Sequence, residues 1–306
     1  MPISNMLDGK VIAVTGAGRG IGREIALLCG RKGASVIVND LGSTADGEGK
    51  DSTPAEEVAA EIVKAGGKAI VNAASVADAV GAASIVEDGV KAFGRIDGIV
   101  NNAGILRDRI FHRMSEVDWR AVIEVHLNGA FFVSKAAANY FKDQGSGAFV
   151  HFTSTSGLIG NIGQANYGAA KLGIVGLSNA IALDMQKFGV RSNCIAPFAW
   201  SRMIATVPAK DEATKERIER MKTMSADKIA PLVAFLLSDD AADVNAQIFA
   251  VRKNEIVLFS HPRPVRAMQK EGGWTPETIA SELLPAFRSS LTPLTRTADI
   301  FGYDPL

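Results

Sequence analysis

The chain has 306 residues, 47% of them hydrophobic and 22% charged, which is enough for a sizeable core in one large domain or two ordinary ones. Its 33 basic residues balance 33 acidic ones, so there is no global pull toward nucleic acid or an acidic membrane, and neither is expected as a partner. The two cysteines, Cys29 and Cys194, lie in apolar runs with no CxxC or Cys/His spacing, which predicts buried reduced thiols and no metal site.

Residues 1–10 lack the apolar run of a signal peptide, no apolar stretch reaches membrane-span length, and the last four residues are no targeting address; a cytoplasmic protein is expected. In chain order, residues 11–14 read as a buried strand and 21–31 as a helix. Residues 35–38 form a second strand. Thr53-Pro54 opens a helix that ends at Gly66-Gly67, with Thr53 as N-cap and proline in the first position. A third strand covers 68–72, a helix 77–93 and a fourth strand 96–101. Ser115 caps a long helix running to about residue 143, with acids in its first turn. Strand five spans 148–153, a helix 166–187, strand six 190–196 and strand seven 247–251. Residues 41–52, rich in Gly, Asp and Ser, read as a mobile surface loop, and 197–224 as an irregular segment with a short charged helix.

This β-α alternation argues for a parallel sheet covered by helices on both faces, doubly wound through right-handed crossovers. The expected organisation is a main domain over residues 1–251 and an extension over 252–306. In the extension, 255–259 reads as a strand after a tight turn at Lys253-Asn254, and Thr275-Pro276-Glu277 as a helix start. The extension is too short for an independent domain and is expected to pack on the main body or on a neighbouring subunit.

Strand one runs into Thr15-Gly16-Ala17-Gly18-Arg19-Gly20-Ile21-Gly22 and then a helix. Glycine lets backbone approach a pyrophosphate, and the helix start offers free N–H groups and a positive dipole end. Gly16, Arg19, Gly20, Ile21 and Gly22 are therefore candidate dinucleotide contacts. Asp40 follows strand two. A carboxylate there accepts ribose hydroxyls and repels a 2′-phosphate, which favours NAD over NADP, although Arg19 lies close enough to blur that preference. Tyr167 and Lys171 are four apart, which puts them on one helical face. A nearby ammonium stabilises phenolate and is expected to lower the tyrosine pKa toward working pH. His126 and His151 read as structural.

The order TGAGRGIG, Asn101-Asn102-Ala103-Gly104, Ser154 and Tyr-Gly-Ala-Ala-Lys resembles the short-chain dehydrogenase/reductase family over about residues 7–251. That resemblance implies a single doubly wound, Rossmann-like domain with a seven-stranded parallel sheet. It implies that Ser154 hydrogen-bonds the substrate oxygen, that Tyr167 is the acid/base, and that Lys171 also binds the nicotinamide ribose. It implies that Asn128 holds a water beside the lysine, and that Asn102, Ala103 and Gly104 lie near the adenine ribose. Ser75-Val76 stand where an Asp-Val pair usually contacts adenine. Pro197 begins the substrate loop, where Pro-Phe replaces the usual Pro-Gly, and Ser201 aligns, with one gap, to a carboxamide contact. Phe198, Trp200 and Met203 line an apolar substrate pocket or simply pack a lid.

The stretches Val38-Asn39-Asp40-Leu41-Gly42, Gly104-Ile-Leu-Arg-Asp-Arg and Ile195-Ala-Pro with Ser201-Arg202-Met203 are similar to the dehydrogenase part of peroxisomal multifunctional enzyme type 2 and bacterial single-domain relatives. This similarity implies NAD(H)-dependent turnover of a 3-hydroxyacyl-CoA, with oxidation of steroid or other bulky secondary alcohols as the alternative. Arg107 and Arg109 suit a CoA approach or form a plain basic loop. A third possibility, of another class, is a non-catalytic NAD-binding scaffold, against which the complete Ser154, Tyr167 and Lys171 set argues. Small and apolar residues on more than one face of helices 115–143 and 166–187 predict a homodimer or homotetramer.

Overall fold

The structure, a computed structural model, describes residues 5–199 and 223–304. Strands and helices alternate as β1 (Val11–Thr15), α1 (Gly20–Arg31), β2 (Ser35–Asn39), α2 (Thr53–Lys64), β3 (Lys68–Asn72), α3 (Ala79–Phe93), β4 (Gly98–Asn101), α4 (Glu116–Ile123), α5 (Gly129–Gln144), β5 (Gly147–Phe152), α6 (Thr155–Leu158), α7 (Ala165–Met185), β6 (Val190–Phe198), α8 (Ala230–Leu237), β7 (Ile248–Arg252) and β8 (Glu255–Phe259). Among the described residues, no helix is long and apolar enough to cross a membrane.

The strand order is β3-β2-β1-β4-β5-β6-β7-β8. Strand direction splits the core in two. Ile12, Val14, Val36 and Val38 point to the face covered by α1, α2 and α8. Val11, Ala13 and Ile37 point to the face covered by α3 and α5. This is the period-two alternation of a sheet buried on both sides. The order reverses between β1 and β4, and in such sheets ligands bind at the carboxyl ends of the strands around that reversal.

Seven strands pair in parallel, but the sheet has eight, so the seven-stranded expectation is one short. Lys253, at φ 57, closes a tight turn after β7. β8 then pairs antiparallel with β7 from Ile248↔Phe259 to Arg252↔Glu255. The extension thus begins by continuing the sheet and then lies along the body. Thr297 N–H bonds the Gly160 carbonyl at 2.9 Å. Thr275 caps the helical stretch that begins at Pro276.

Three further sequence expectations need adjustment. The residue ahead of α2 is Ser52, not Thr53, which is already helical. The long helix starts after its Ser115 cap but carries a π turn, Glu124–Asn128, between α4 and α5. Loop 41–52 is pinned rather than loose: Leu106 N–H bonds the Ala45 carbonyl at 3.0 Å, and Arg107 reaches Glu48 at 2.9 Å and the Asp46 carbonyl at 2.9 Å. Trp200, Ser201 and Met203 lie outside the described residues.

Candidate active site

A cleft of about 810 Å³ opens over the carboxyl ends of β1, β2, β4 and β5. Its lining includes Gly16, Arg19, Gly20, Ile21, Asp40, Ser75, Val76, Asn102, Ala103, Gly104, Tyr167, Lys171 and Pro197. One topological feature, the reversal of strand order, therefore gathers residues scattered over some 180 positions.

The cofactor side is a backbone cradle. Gly16 (φ +64) and Gly20 (φ +55) adopt the left-handed conformation that side chains avoid. A Cβ on Gly22 would sit 2.1 Å from the Gly16 carbonyl oxygen, so the turn closes only around glycine. No side chain caps the start of α1, which leaves its first N–H groups facing the cleft. Asn102 ties this turn to β4, its Nδ2 donating to the carbonyls of Thr15 (2.9 Å) and Gly16 (3.1 Å). Asp40 braces it from β2 by accepting from the N–H groups of Gly18 and Gly42, both at 2.7 Å. Each Asp40 oxygen keeps acceptor capacity toward the cleft. Arg19 lies 3.8 Å from Asp51. Ser75 accepts from the Ala77 N–H at 3.2 Å, so its hydroxyl shapes the turn before α3. The residues present fit a dinucleotide: a cradle that a Cβ would fill, a free helix start and a carboxylate at the second strand.

The opposite wall comes from α7 and from the turn that follows β5. Tyr167 and Lys171 share one face of α7, and the Lys171 Nζ lies 5.5 Å from the tyrosine ring centroid. Lys171 is buried and donates to the Phe152 carbonyl at 2.5 Å. Ser154 caps α6, its Oγ accepting from the Ser156 N–H at 3.1 Å, and it shares a side-chain hydrogen bond with Tyr167. The electrostatics differ from the sequence expectation. Burial pushes the Tyr167 phenol up to about 12, with repulsion from Asp108 adding to it and the Ser154 hydrogen bond opposing it. Burial also pulls the Lys171 ammonium down to about 7. Both groups lose hydration, and burial is the largest cause of each shift.

His126 and His151 are buried, and burial, followed by repulsion from Lys171, drives both to about 3, so both stay neutral. His126 packs its ring edge-on against Tyr167 at 5.2 Å and occupies the space beside Gly104, where a Cβ would lie 2.2 Å from its Cε1. The Asn128 side chain turns away to Glu124 at 2.8 Å. Phe198 packs against Phe301 at 4.9 Å rather than lining the cleft. Neither Ser156, which touches Ser154, nor Asp108 or Gln164 stands out in the sequence as a site residue. Nothing local in the sequence marks any of the three.

The family model for short chain dehydrogenase matches residues 10–212, and the chain belongs to that family. It is an oxidoreductase acting on CH–OH groups. Mouse peroxisomal multifunctional enzyme type 2 is 42% identical over 274 residues, which are 89% of this chain but 36% of that enzyme, so the chain spans about a third of it. A hydroxyacyl-CoA dehydrogenase of Mycobacterium tuberculosis is 37% identical over 290 residues, covering 92% of this chain and 89% of that one. The crystal structure of a short chain dehydrogenase from Mycobacterium avium matches with a TM-score of 0.82 at 35% identity, over 95% of this chain and 98% of that one.

Proposed function

We propose that the chain is an NAD(H)-dependent dehydrogenase that interconverts a 3-hydroxyacyl-CoA and its 3-oxoacyl-CoA. The observation that carries this reading is the meeting of Tyr167 and Lys171 in the cleft that the glycine cradle also lines, with Ser154 beside the phenol. A bound nicotinamide supplies or accepts the hydride. In reduction, Tyr167 gives its proton to the carbonyl oxygen while Ser154 donates a hydrogen bond to the same oxygen. In oxidation, the phenolate form of Tyr167 takes the hydroxyl proton. Lys171 holds the nicotinamide ribose.

The preference for NAD rests on Asp40, whose carboxylate faces the adenosine end of the cleft, and Asp51 offers Arg19 an alternative to a 2′-phosphate. The Asn128 side chain is taken up by Glu124, so the water role is assigned to the π turn that Asn128 ends. The π turn sends the Gly129 N–H to the Glu124 carbonyl, and a void of about 10 Å³ lies between Asn101, His126, Gly129 and Lys171, near the size one water needs.

The thioester rests on the likeness to the mycobacterial relative named for hydroxyacyl-CoA and on the exposed Arg109. Arg107 is already engaged by Glu48 and suits a CoA phosphate less well. Self-association is part of the proposal: Ala169, Leu172, Gly176, Ala180 and Leu183 form an exposed apolar stripe on the back of α7. Light scattering that finds only monomer at micromolar concentration would remove it.

The test is NADH oxidation with acetoacetyl-CoA, a ketosteroid and a simple ketone. The thioester should be preferred, with saturation that depends on the CoA moiety. Turnover of the steroid without the thioester replaces the substrate assignment. NADH binding without turnover of any of the three overturns the enzymatic reading in favour of a scaffold.

A further inference from the structure

A chain of hydrogen bonds leads away from Ser154. The Ser154 hydroxyl lies 3.2 Å from Ser156 Oγ, Ser156 Oγ donates to Gln164 Oε1 at 2.8 Å, and Gln164 Nε2 donates to Asp108 Oδ2 at 2.8 Å. Asn161 Nδ2 also donates to Ser156 Oγ at 2.8 Å. An ionised carboxylate only accepts, so Asp108 fixes which end of the Gln164 amide faces it. The amide oxygen is then left for Ser156, whose proton is committed there and whose two lone pairs serve Ser154 and Asn161. Ser154 Oγ in turn accepts from the Ser156 N–H.

Every link therefore points one way, from Ser154 to Asp108. The Ser154-to-Ser156 link is the long one for an O–H···O bond, while the two links beyond it are short. The Ser154 oxygen is anchored, and its own proton is the most weakly held in the chain. The backbone frames the arrangement, because Arg109 N–H bonds the Gly163 carbonyl at 2.9 Å and brings the loop after β4 against the start of α7.

We infer that Gln164 and Asp108 are positioning residues for the reaction: acting through Ser156, they hold Ser154 with its proton free for the substrate oxygen, and the Asp108 carboxylate places a negative charge near the phenol. The inference rests on the catalytic roles proposed above for Ser154 and Tyr167. The charge acts in the same direction as burial, since Asp108 raises the Tyr167 phenol. The other titratable groups facing Tyr167 are Lys171 on its own helix and His126 from the π turn, and Arg109 stands beside Asp108. All three stay in place in the variants below, so any step they contribute is common to every profile.

The experiment measures kcat, KM and pH profiles for Gln164→Ala, Asp108→Asn and Asp108→Ala beside the wild type and Tyr167→Phe. The assay uses whichever of acetoacetyl-CoA, the ketosteroid or the simple ketone the wild type reduces, with the matching alcohol for oxidation. NADH affinity by fluorescence and thermal melting report on folding. Gln164→Ala should lose about tenfold in kcat, as expected for one hydrogen bond, with KM and NADH affinity little changed and the pH profile unmoved. Asp108→Asn keeps an acceptor for Gln164, so it should retain kcat within about twofold while the alcohol-oxidation profile moves to lower pH by up to about one unit. Asp108→Ala should show both effects. A purely structural role moves no pH profile and gives no rescue by asparagine. Wild-type kcat in Gln164→Ala, or equal losses with unshifted profiles in all three variants, overturns the inference while inactive Tyr167→Phe leaves the catalytic reading intact. Near-normal turnover in Tyr167→Phe, or no wild-type turnover of any probe, overturns both.

Discussion

The two sides of the cleft are built in different ways. The cofactor side is mostly backbone: glycines in conformations only they adopt easily, a helix start and two side chains, Asn102 and Asp40, that bond main-chain groups. Little in it needs to move for a dinucleotide to enter. The substrate side is mostly side chain, assembled from segments far apart in sequence. Behind it the extension is fastened by Arg252, buried beneath Phe198, Phe301 and Tyr303, ion-paired to Glu255 at 3.5 Å and bonded to the carbonyl of Tyr303. On the function proposed above, the cradle would carry the generic task of holding a cofactor, and the far wall the chemistry and the choice of substrate.

Substitutions that hit one side and spare the other test this division. The largest effect is expected at Tyr167→Phe. It should keep NADH affinity and lose turnover by about 10²–10⁴-fold, the usual worth of a positioned acid/base, measured by steady-state kinetics beside fluorescence titration. Gly22→Ala is the converse. Its Cβ collides with the Gly16 carbonyl, so NADH affinity should collapse and stability should fall by about 1–3 kcal/mol in thermal melts. Arg252→Ala removes a buried cation and leaves Glu255 without its partner. A loss of about 3 kcal/mol is expected, with faster proteolysis after residue 260 and unchanged NADH affinity; an intact tail under protease would show that the cluster does not fasten it.

Asp40→Ala should be milder, costing about 1–2 kcal/mol from two main-chain bonds and relaxing the preference for NAD over NADP; an unchanged ratio would deny Asp40 its role. The smallest effect is one of pH. Burial raises the Tyr167 phenol, and oxidation needs its deprotonated form, so alcohol oxidation should keep rising with pH while ketone reduction does not; an oxidation rate that levels off below neutral pH would contradict the high phenol.

The fold was legible because β-α alternation is written locally, in apolar runs and caps such as Ser115 and Thr275. The eighth strand was visible as a strand, but its pairing with β7 was not, because register depends on a turn whose geometry is set at Lys253. Phe198 read as a pocket residue or as lid packing; its ring packs against the tail, a contact made across about a hundred residues. The direction of the tyrosine shift was misjudged for a related reason. A charge one turn away can be read from spacing, but the burial that sets the direction of the shift cannot.

By itself the sequence determined the parallel α/β architecture, the glycine cradle with Asp40, and the placing of Tyr167 and Lys171 on one face, since each depends on neighbours within a helical turn or a single β-α unit. Tertiary structure alone decided which groups stand beside Ser154, how Asn128 is turned, and where the extension lies. Those outcomes depend on desolvation and on contacts between distant segments, such as Asp108 with Gln164 or Arg252 with Tyr303, and they exist only once the chain has closed on itself.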